Sequence, residues 1–230
     1  KVLNMREITK EEIKKAVAKL FFNANINLGR DVKKALQAAK AQEKNPNAQK
    51  MLSIIIENYK LAEKNQTPIC QDTGMAVVFI DWGSEVILRN ASLEEAVNEG
   101  VKEAYQEGYF RKSIVKDPLR RENTLDNTPA VIHTRIIPGE KVKITVIPKG
   151  FGSENMGSLK MFNPTATWGE IETYIVDMVK KAGANACPPV ILGVGIGGTM
   201  EKAALLAKEA LLREVLSKHP DPFWAEKEEN

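Results

Sequence analysis

The spacing of the hydrophobic residues changes along the chain, and this change most limits the folds that the chain can adopt. Before residue 66 the apolar positions recur at helical spacing. In the middle of the chain they form short β-rich runs bounded by glycine and proline, which indicates strands. The last third contains both helical and strand-like segments. Helical blocks that flank a small strand region predict an α+β fold, and without a visible linker we expect one domain over residues 1–230.

Local signals place the individual elements. Capping boxes, in which Thr9 is followed by Glu12 and Ser92 by Glu95, mark the starts of two helices. Helices are predicted from Thr9, over 31–42, over 47–64, from Ser92 to about Gly108, over 167–182 with Gly183 as the C-cap, and over 199–217. Strands are predicted over 75–81, 130–137 and 141–148, and a buried strand over 190–194. The turn Pro138-Gly139-Glu140 predicts a hairpin, and 112–127 and 150–157 are expected to be loops.

Composition excludes several classes of function. The chain has 33 lysine and arginine residues against 30 aspartate and glutamate residues, a formal net charge of +3. A nucleic-acid-binding domain would usually concentrate basic charge on one face, and aromatic residues, at 6%, are too few for a base-stacking platform. Hydrophobic residues make up 43% of the chain, which is enough for a sizeable core.

No membrane segment is predicted. The longest uncharged stretch, residues 182–200, contains five glycines, two adjacent prolines and Asn185, so it cannot form one continuous apolar helix. A basic start followed by an apolar run and a cleavage site is also absent, so we expect a soluble, cytoplasmic protein.

Two short motifs point to functions that their context does not support. Residues 193–198 fit G-x-G-x-x-G, but a long helix and then prolines follow, so no βαβ unit for a dinucleotide can close. A tight strand-to-helix turn that favours an anion, or simple close packing of strand on helix, explains these glycines better. Asp72-Thr73-Gly74 copies the loop of aspartic proteases, but those enzymes need two such loops and are essentially all-β.

The strongest constellation is the run from Thr67 to Gly74, where Cys70, Gln71 and Asp72 stand together on a turn after a helix. A thiolate can bind a soft metal, a carboxylate can move a proton, and an amide can hold a substrate carboxylate. The second cysteine, Cys187, precedes two prolines and the glycine-rich turn. Each cysteine alone would more often be a buried structural thiol, so pattern alone leaves both readings open.

Three further features are candidates for function. Gly150 and Gly152 belong to a polar loop in which backbone can approach a ligand closely, although an ordinary turn explains them equally well. Arg111 follows a helix end, and arginine suits bidentate recognition of carboxylates, although most such arginines are merely solvated. His133 lies in an apolar strand and is expected to be a core or edge histidine.

Four motifs in this order carry a resemblance to a known family over nearly the whole chain: TPICQDTGMAVVFIDWG, DNTPAVIH, PKGFGSEN and NACPPVILGVGIGGT. They resemble the α-subunit of the iron–sulfur (class I) fumarate hydratases and the closely related L(+)-tartrate dehydratase α-subunit. The N-terminal region of the fused single-chain enzymes shares them.

The resemblance implies reversible hydration of fumarate to (S)-malate, or the tartrate reaction as an alternative. It also implies a [4Fe-4S] cluster held by three cysteines, whose open iron acts as a Lewis acid. Cys70 and Cys187 match two cluster ligands, and Gln71 and Asp72 match the substrate-side pair, with Asp72 as a candidate proton carrier. Arg111 matches a residue that binds a substrate carboxylate. The loop with Gly150 or Gly152 matches a backbone contact to substrate.

One departure limits what the resemblance implies. The family's third cysteine lies beyond the glycine-rich turn and its helix, and this chain has only two cysteines. We therefore expect an α-subunit without its C-terminal segment, inactive without a β-subunit, and part of an oligomer. We also expect the thiols of Cys70 and Cys187 to be unbridged and to face one cavity near the start of the predicted 199–217 helix. A non-catalytic assembly module that has lost the cluster is the alternative from another class.

Overall fold

The computed structural model describes residues 5–215 and 217–229, and the chain divides into two compact units. The first unit comprises Lys1–Leu28 and Ser53–Phe151, and the second comprises Gly29–Leu52 and Gly152–Asn230. Helices and small sheets together confirm the predicted α+β class. The prediction of one domain over residues 1–230 stays a prediction.

The described elements agree with most of the predicted ones. In chain order they are β1 (Arg6–Ile8), α1 (Lys10–Ile26), α2 (Arg30–Gln42), α3 (Pro46–Asn65), β2 (Met75–Gly83), β3 (Val86–Leu88), α4 (Leu93–Glu107), β4 (Val131–Ile137), β5 (Val142–Lys149), α5 (Phe151–Glu154), α6 (Trp168–Ala182), a 3-10 turn (Gly183–Ala186), α7 (Met200–Ala210) and α8 (Pro222–Glu229). The capping box at Thr9 and Glu12 forms as predicted. The short strands β1 and β3, which pair in parallel, and the helices α5 and α8 were not predicted.

The hairpin prediction is wrong, although both of its strands exist. The three-stranded sheet has the order β4-β2-β5, with β4 parallel and β5 antiparallel to β2. The connection from β4 to β5 passes over the end of β2 at Gly83, where an added Cβ would lie 2.3 Å from the Gly139 carbonyl oxygen. The most apolar strand, β2, thereby takes the central position, where its backbone pairs on both sides.

The core of the first unit lies between one face of this sheet and the helices α1 and α4. It includes Val78 and Ile80 from β2, Val17 and Phe21 from α1, and Val101 from α4. These five side chains are at most 1% exposed. The helical spacing of the apolar residues in α1 and α4 therefore buries one stripe of each helix, as amphipathic patterning predicts.

In the second unit, the last predicted helix is shorter than expected. α7 ends at Ala210, and the next three backbone N–H groups bond to carbonyls three residues earlier, which tightens the chain into turns. The backbone N–H of Val215 then donates a hydrogen bond to Asp31 Oδ2 at 2.9 Å, and this hydrogen bond lowers the pKa of the Asp31 carboxyl. The Asp31 side chain of α2 thus takes the place of the main-chain carbonyl that would accept this N–H if the helix continued. Of the predicted helix, Leu216 lies outside the described residues.

The predicted buried strand over 190–194 is also wrong. None of the described strands pairs with this segment, and Ile191 is 54% exposed. Gly193 and the nearby Gly195 pack against α7. A Cβ added at Gly193 would lie 2.1 Å from the Ala207 carbonyl oxygen, and a Cβ added at Gly195 would lie 2.2 Å from the Ala203 carbonyl oxygen. Close approach to a helix, one of the two explanations offered by the sequence, accounts for these glycines. Within the described ranges, no helix combines the length and hydropathy that crossing a bilayer would require.

Candidate active site

The Cys70–Gly74 loop connects the end of α3 to the start of β2 in the first unit. The Thr67 backbone N–H bonds to the Ala62 carbonyl, which closes the helix end, and the Ile69 N–H bonds to the Asn25 carbonyl of α1 at 2.9 Å. Gly74 has φ +71°, and a Cβ there would lie 2.5 Å from the Lys149 backbone. Only glycine fits this position, so the loop enters the sheet along a fixed path.

The Asp72 carboxylate is half-buried and is held by the main chain at both oxygens. Oδ1 accepts from the Gly74 N–H at 3.1 Å, and Oδ2 accepts from the Phe151 N–H at 2.9 Å. Phe151 is the first residue of the short helix α5. Each carboxylate oxygen has further lone pairs, so the group can still accept a proton from a ligand.

Arg111 lies beside the same loop. Its Nη1 donates to Gln71 Oε1 at 3.1 Å, and its main-chain carbonyl accepts from the Thr73 hydroxyl at 2.9 Å. The guanidinium is exposed, and it makes no ion pair with any residue in the described ranges. Gln71 and Asp72, which the sequence singled out together, therefore meet Arg111, which it singled out separately, at one place in the first unit.

Gly150 borders the Asp72 carboxylate. A Cβ at Gly150 would lie 3.4 Å from Asp72 Oδ2, so any larger side chain would extend beside this oxygen. The Lys149 Nζ lies 3.5 Å from the Gly150 carbonyl, which places a cation at the same turn. The predicted loop over 150–157 is thus a helix start whose first N–H group binds Asp72.

Cys187 and Gly152 belong to the second unit. Cys187 follows the 3-10 turn in a left-handed conformation with φ +56°, and its Sγ lies 3.8 Å from where a Cβ on Gly152 would be. Cys70 and Cys187 are both free and exposed. Their shared cavity, which the sequence analysis expected, stays a prediction.

The fit of a [4Fe-4S] cluster can be judged from these donors. Two exposed thiols are available as soft ligands, and no group of three or more His, Cys, Asp or Glu side chains suited to a metal ion occurs in the part of the chain that is described. The described residues therefore offer two thiols that could serve as ligands, one in each unit, and no complete set of ligands for a cluster occurs among them.

Sequence reasoning missed two residues that support the loop. In the sequence analysis Tyr105 fell only within the predicted helix from Ser92 to about Gly108, and Asn127 only within the expected loop over 112–127. Both are 0% exposed, and both donate hydrogen bonds to main-chain carbonyls of the Cys70–Gly74 loop. The available signal was the position of Asn127 within DNTPAVIH, one of the four motifs. His133 was predicted correctly: it lies on the edge strand β4 and stacks on Phe79 at 5.0 Å between ring centroids.

Comparison with known proteins gives consistent matches. The family model described as "Fumarate hydratase (Fumerase)" matches residues 14–230. A Methanocaldococcus jannaschii protein named "Putative L(+)-tartrate dehydratase subunit alpha" is 39% identical over 219 residues, covering 91% of this chain and 75% of that protein. The L(+)-tartrate dehydratase subunit alpha of Escherichia coli strain K12 is 30% identical over 201 residues, covering 86% of this chain and 66% of that protein. This chain thus spans about three quarters of the length of the Methanocaldococcus jannaschii protein and about two thirds of the length of the Escherichia coli protein.

Proposed function

Because the chain belongs to the fumarate hydratase family, we propose that it is the α-subunit of a hydro-lyase that reversibly hydrates fumarate to (S)-malate. Members of this family are hydro-lyases, and the relatives named above are α-subunits. The observation that carries the proposal is that Asp72 and Gln71 stand on one fixed loop and that Arg111 contacts this loop through Gln71.

Asp72 is the proton carrier in this proposal. Hydration of a double bond adds a hydroxyl to one carbon and a proton to its neighbour, so a positioned acid or base must move that proton. The two main-chain hydrogen bonds fix the carboxylate in place before substrate arrives. Such preorganisation lowers the entropic part of the barrier, since the group needs no reorientation in the transition state.

Arg111 and Gln71 bind a substrate carboxylate. An exposed guanidinium without an ionic partner among the described residues can form a bidentate pair with a dicarboxylate. The hydrogen bond from Arg111 to Gln71 orients the guanidinium and leaves the Gln71 amide N–H groups as further donors. Gly150 leaves space beside Asp72 for the rest of the ligand.

Cys70 and Cys187 would each give one thiolate to an iron–sulfur cluster, which supplies a Lewis acid when it is bound. The hydrogen bond from the Asp72 N–H to Cys70 Sγ, at 3.4 Å, puts that thiol next to the proton carrier. The α-subunit names of the relatives support a β-subunit as partner, and we propose that it completes the site. With fumarate as the substrate, we also propose a cytoplasmic location and a role in the tricarboxylic acid cycle.

Tartrate is the alternative substrate, and the names of both relatives favour it. The deciding experiment is an anaerobic assay of the iron- and sulfide-loaded chain with a β-subunit of this family, using fumarate, (S)-malate and L(+)-tartrate separately. Turnover of fumarate and malate by the complex, with none by the chain alone, supports the proposal. Turnover of tartrate alone changes the substrate, and an assembled, loaded complex without activity favours the non-catalytic assembly module.

A further inference from the structure

Two fully buried polar side chains, Tyr105 and Asn127, contact the Cys70–Gly74 loop but take no part in the chemistry proposed above. A buried polar group destabilises a fold unless it is hydrogen-bonded, so the choice of partner is informative. The Tyr105 hydroxyl lies against the carbonyls of Thr73 and Gly74, and the Asn127 amide donates to the carbonyl of Gly74; these are the last two carbonyls before β2. They therefore act on the path of the loop itself.

The Tyr105 hydroxyl holds the loop from α4. It donates to the Thr73 carbonyl at 2.5 Å, and the Gly74 carbonyl lies at 3.2 Å. Burial raises the pKa of this hydroxyl, and the nearby charge of Asp72 raises it further, while a hydrogen bond with Asn25 acts in the opposite direction. The hydroxyl therefore stays protonated and remains a donor.

Asn127 connects the loop to the segment that carries Arg111. Its Nδ2 donates to the Gly74 carbonyl at 3.1 Å, and its Oδ1 accepts from the Ser113 backbone N–H at 2.8 Å. Its φ of +63° is left-handed, a conformation that asparagine adopts more readily than most residues. The Thr73 hydroxyl makes a second link, to the Arg111 carbonyl. One amide thus bridges the two segments that hold the proton carrier and the carboxylate-binding arginine.

We propose that Tyr105 and Asn127 are positioning residues that set the place of the Asp72 carboxylate, and that Asn127 also sets its separation from Arg111. This inference rests on the proposed function only for its effect on catalysis. Its structural part concerns hydrogen bonds within the first unit. A displacement of a reacting group by 1 Å slows catalysis about 10²-fold. Tyr105 and Asn127 would therefore affect the catalytic rate without contacting the substrate.

The first test measures amide hydrogen exchange in the chain without metal. Tyr105→Phe removes only the hydroxyl and keeps the ring, and Asn127→Gly removes the amide while permitting the left-handed backbone. We expect exchange of the Gly74 and Phe151 amides, which both donate to Asp72, to rise about tenfold in each variant. Exchange of core amides in α1, such as Phe21, should stay unchanged.

The matched control is Asn98→Ala. Asn98 Oδ1 also accepts a hydrogen bond from the main chain, from the Ala130 N–H at 2.8 Å. This bond involves neither the Cys70–Gly74 loop nor the Arg111–Ser113 segment. This variant should leave exchange at Gly74 and Phe151 unchanged. Unchanged exchange at those amides in both Tyr105→Phe and Asn127→Gly would overturn the proposal. An equal rise at every core amide would also overturn it, because it would mean a general loss of stability.

The second test uses the active complex with its β-subunit. Tyr105→Phe should lower kcat about tenfold or more with little change in KM, while Asn127→Gly should lower kcat and raise KM, since it also releases Arg111. Wild-type kinetics in both variants would contradict the catalytic part of the inference. If the wild-type complex has no activity on any substrate, the proposed function fails, and the exchange measurement still decides the positioning role.

Discussion

At the scale of single residues, the candidate site depends on one carboxylate that the main chain holds from two directions. Asp72 accepts from Gly74 within its own loop and from Phe151, 79 positions later in the chain. The sequence identified Asp72 from its neighbours Cys70 and Gln71. It could not show the second partner, because that contact exists only when β5 pairs beside β2 and brings Phe151 to the loop.

The role of Asp72 can be tested by a change that keeps its shape. Asp72→Asn should lower kcat about 10²-fold or more, because the amide cannot carry the proton, while cluster content and substrate binding stay near wild type. Anaerobic steady-state kinetics of the assembled enzyme measure this. Asp117→Asn is the control, since Asp117 also accepts from main-chain N–H groups, but from those of Leu119 and Arg120 in its own turn. An unchanged kcat for Asp72→Asn would rule out this role.

The role of Arg111 predicts a change in binding rather than in chemistry. Arg111→Lys should raise KM about tenfold or more, because a lysine ammonium cannot form the two-pronged contact with a carboxylate. Arg120→Lys, at an exposed arginine of the same loop region, should leave KM unchanged. The measurement is the KM for fumarate or tartrate in the complex. Substrate binding at wild-type strength by Arg111→Ala would show the assignment to be wrong.

At the scale of elements, local patterns predicted the helices better than the strand pairing. Capping and periodicity are properties of neighbouring residues, so α1, α2, α4 and α6 could be placed from sequence. The hairpin failed because pairing depends on which strand the rest of the fold places in the middle, and the turn at Gly139 permits a crossing over β2 as well as a hairpin.

The close packing of α1 on α4 gives a prediction of stability. At Gly100 an added Cβ would lie 2.6 Å from the Lys14 carbonyl oxygen and 2.8 Å from the Val17 Cβ. Gly100→Ala should therefore destabilise the fold by about 1–3 kcal/mol, even though alanine favours helices, because a main-chain neighbour cannot move easily. Denaturant unfolding gives the free energy.

Gly169→Ala in α6 is the matched control for this change. No atom lies within 4 Å of a Cβ at Gly169, so alanine there should be neutral or stabilise the fold by up to about 1 kcal/mol. The same denaturant titration compares the two variants. A Gly100→Ala protein as stable as wild type would mean that α1 and α4 are not packed as closely as described.

At the scale of the whole molecule, the two cysteines lie in different compact units, Cys70 in the first and Cys187 in the second. If they share one cluster, each should be necessary for it. We expect Cys70→Ser and Cys187→Ser to abolish the visible iron–thiolate absorbance equally after anaerobic loading of the complex. Retention of the full absorbance and iron content by either variant would contradict a shared cluster.

The sequence by itself determined most of the helical elements, the α+β class and the candidate site residues, because these depend on side-chain type and on short-range spacing. It also indicated the family, through four motifs spread along the chain. Tertiary structure alone decided that Arg111 meets Gln71, that Phe151 holds Asp72, and that Tyr105 and Asn127 fix the loop from inside. These contacts join residues 31 to 79 positions apart, and hydrogen bonds over such separations follow from how the sheet and helices pack rather than from any local pattern.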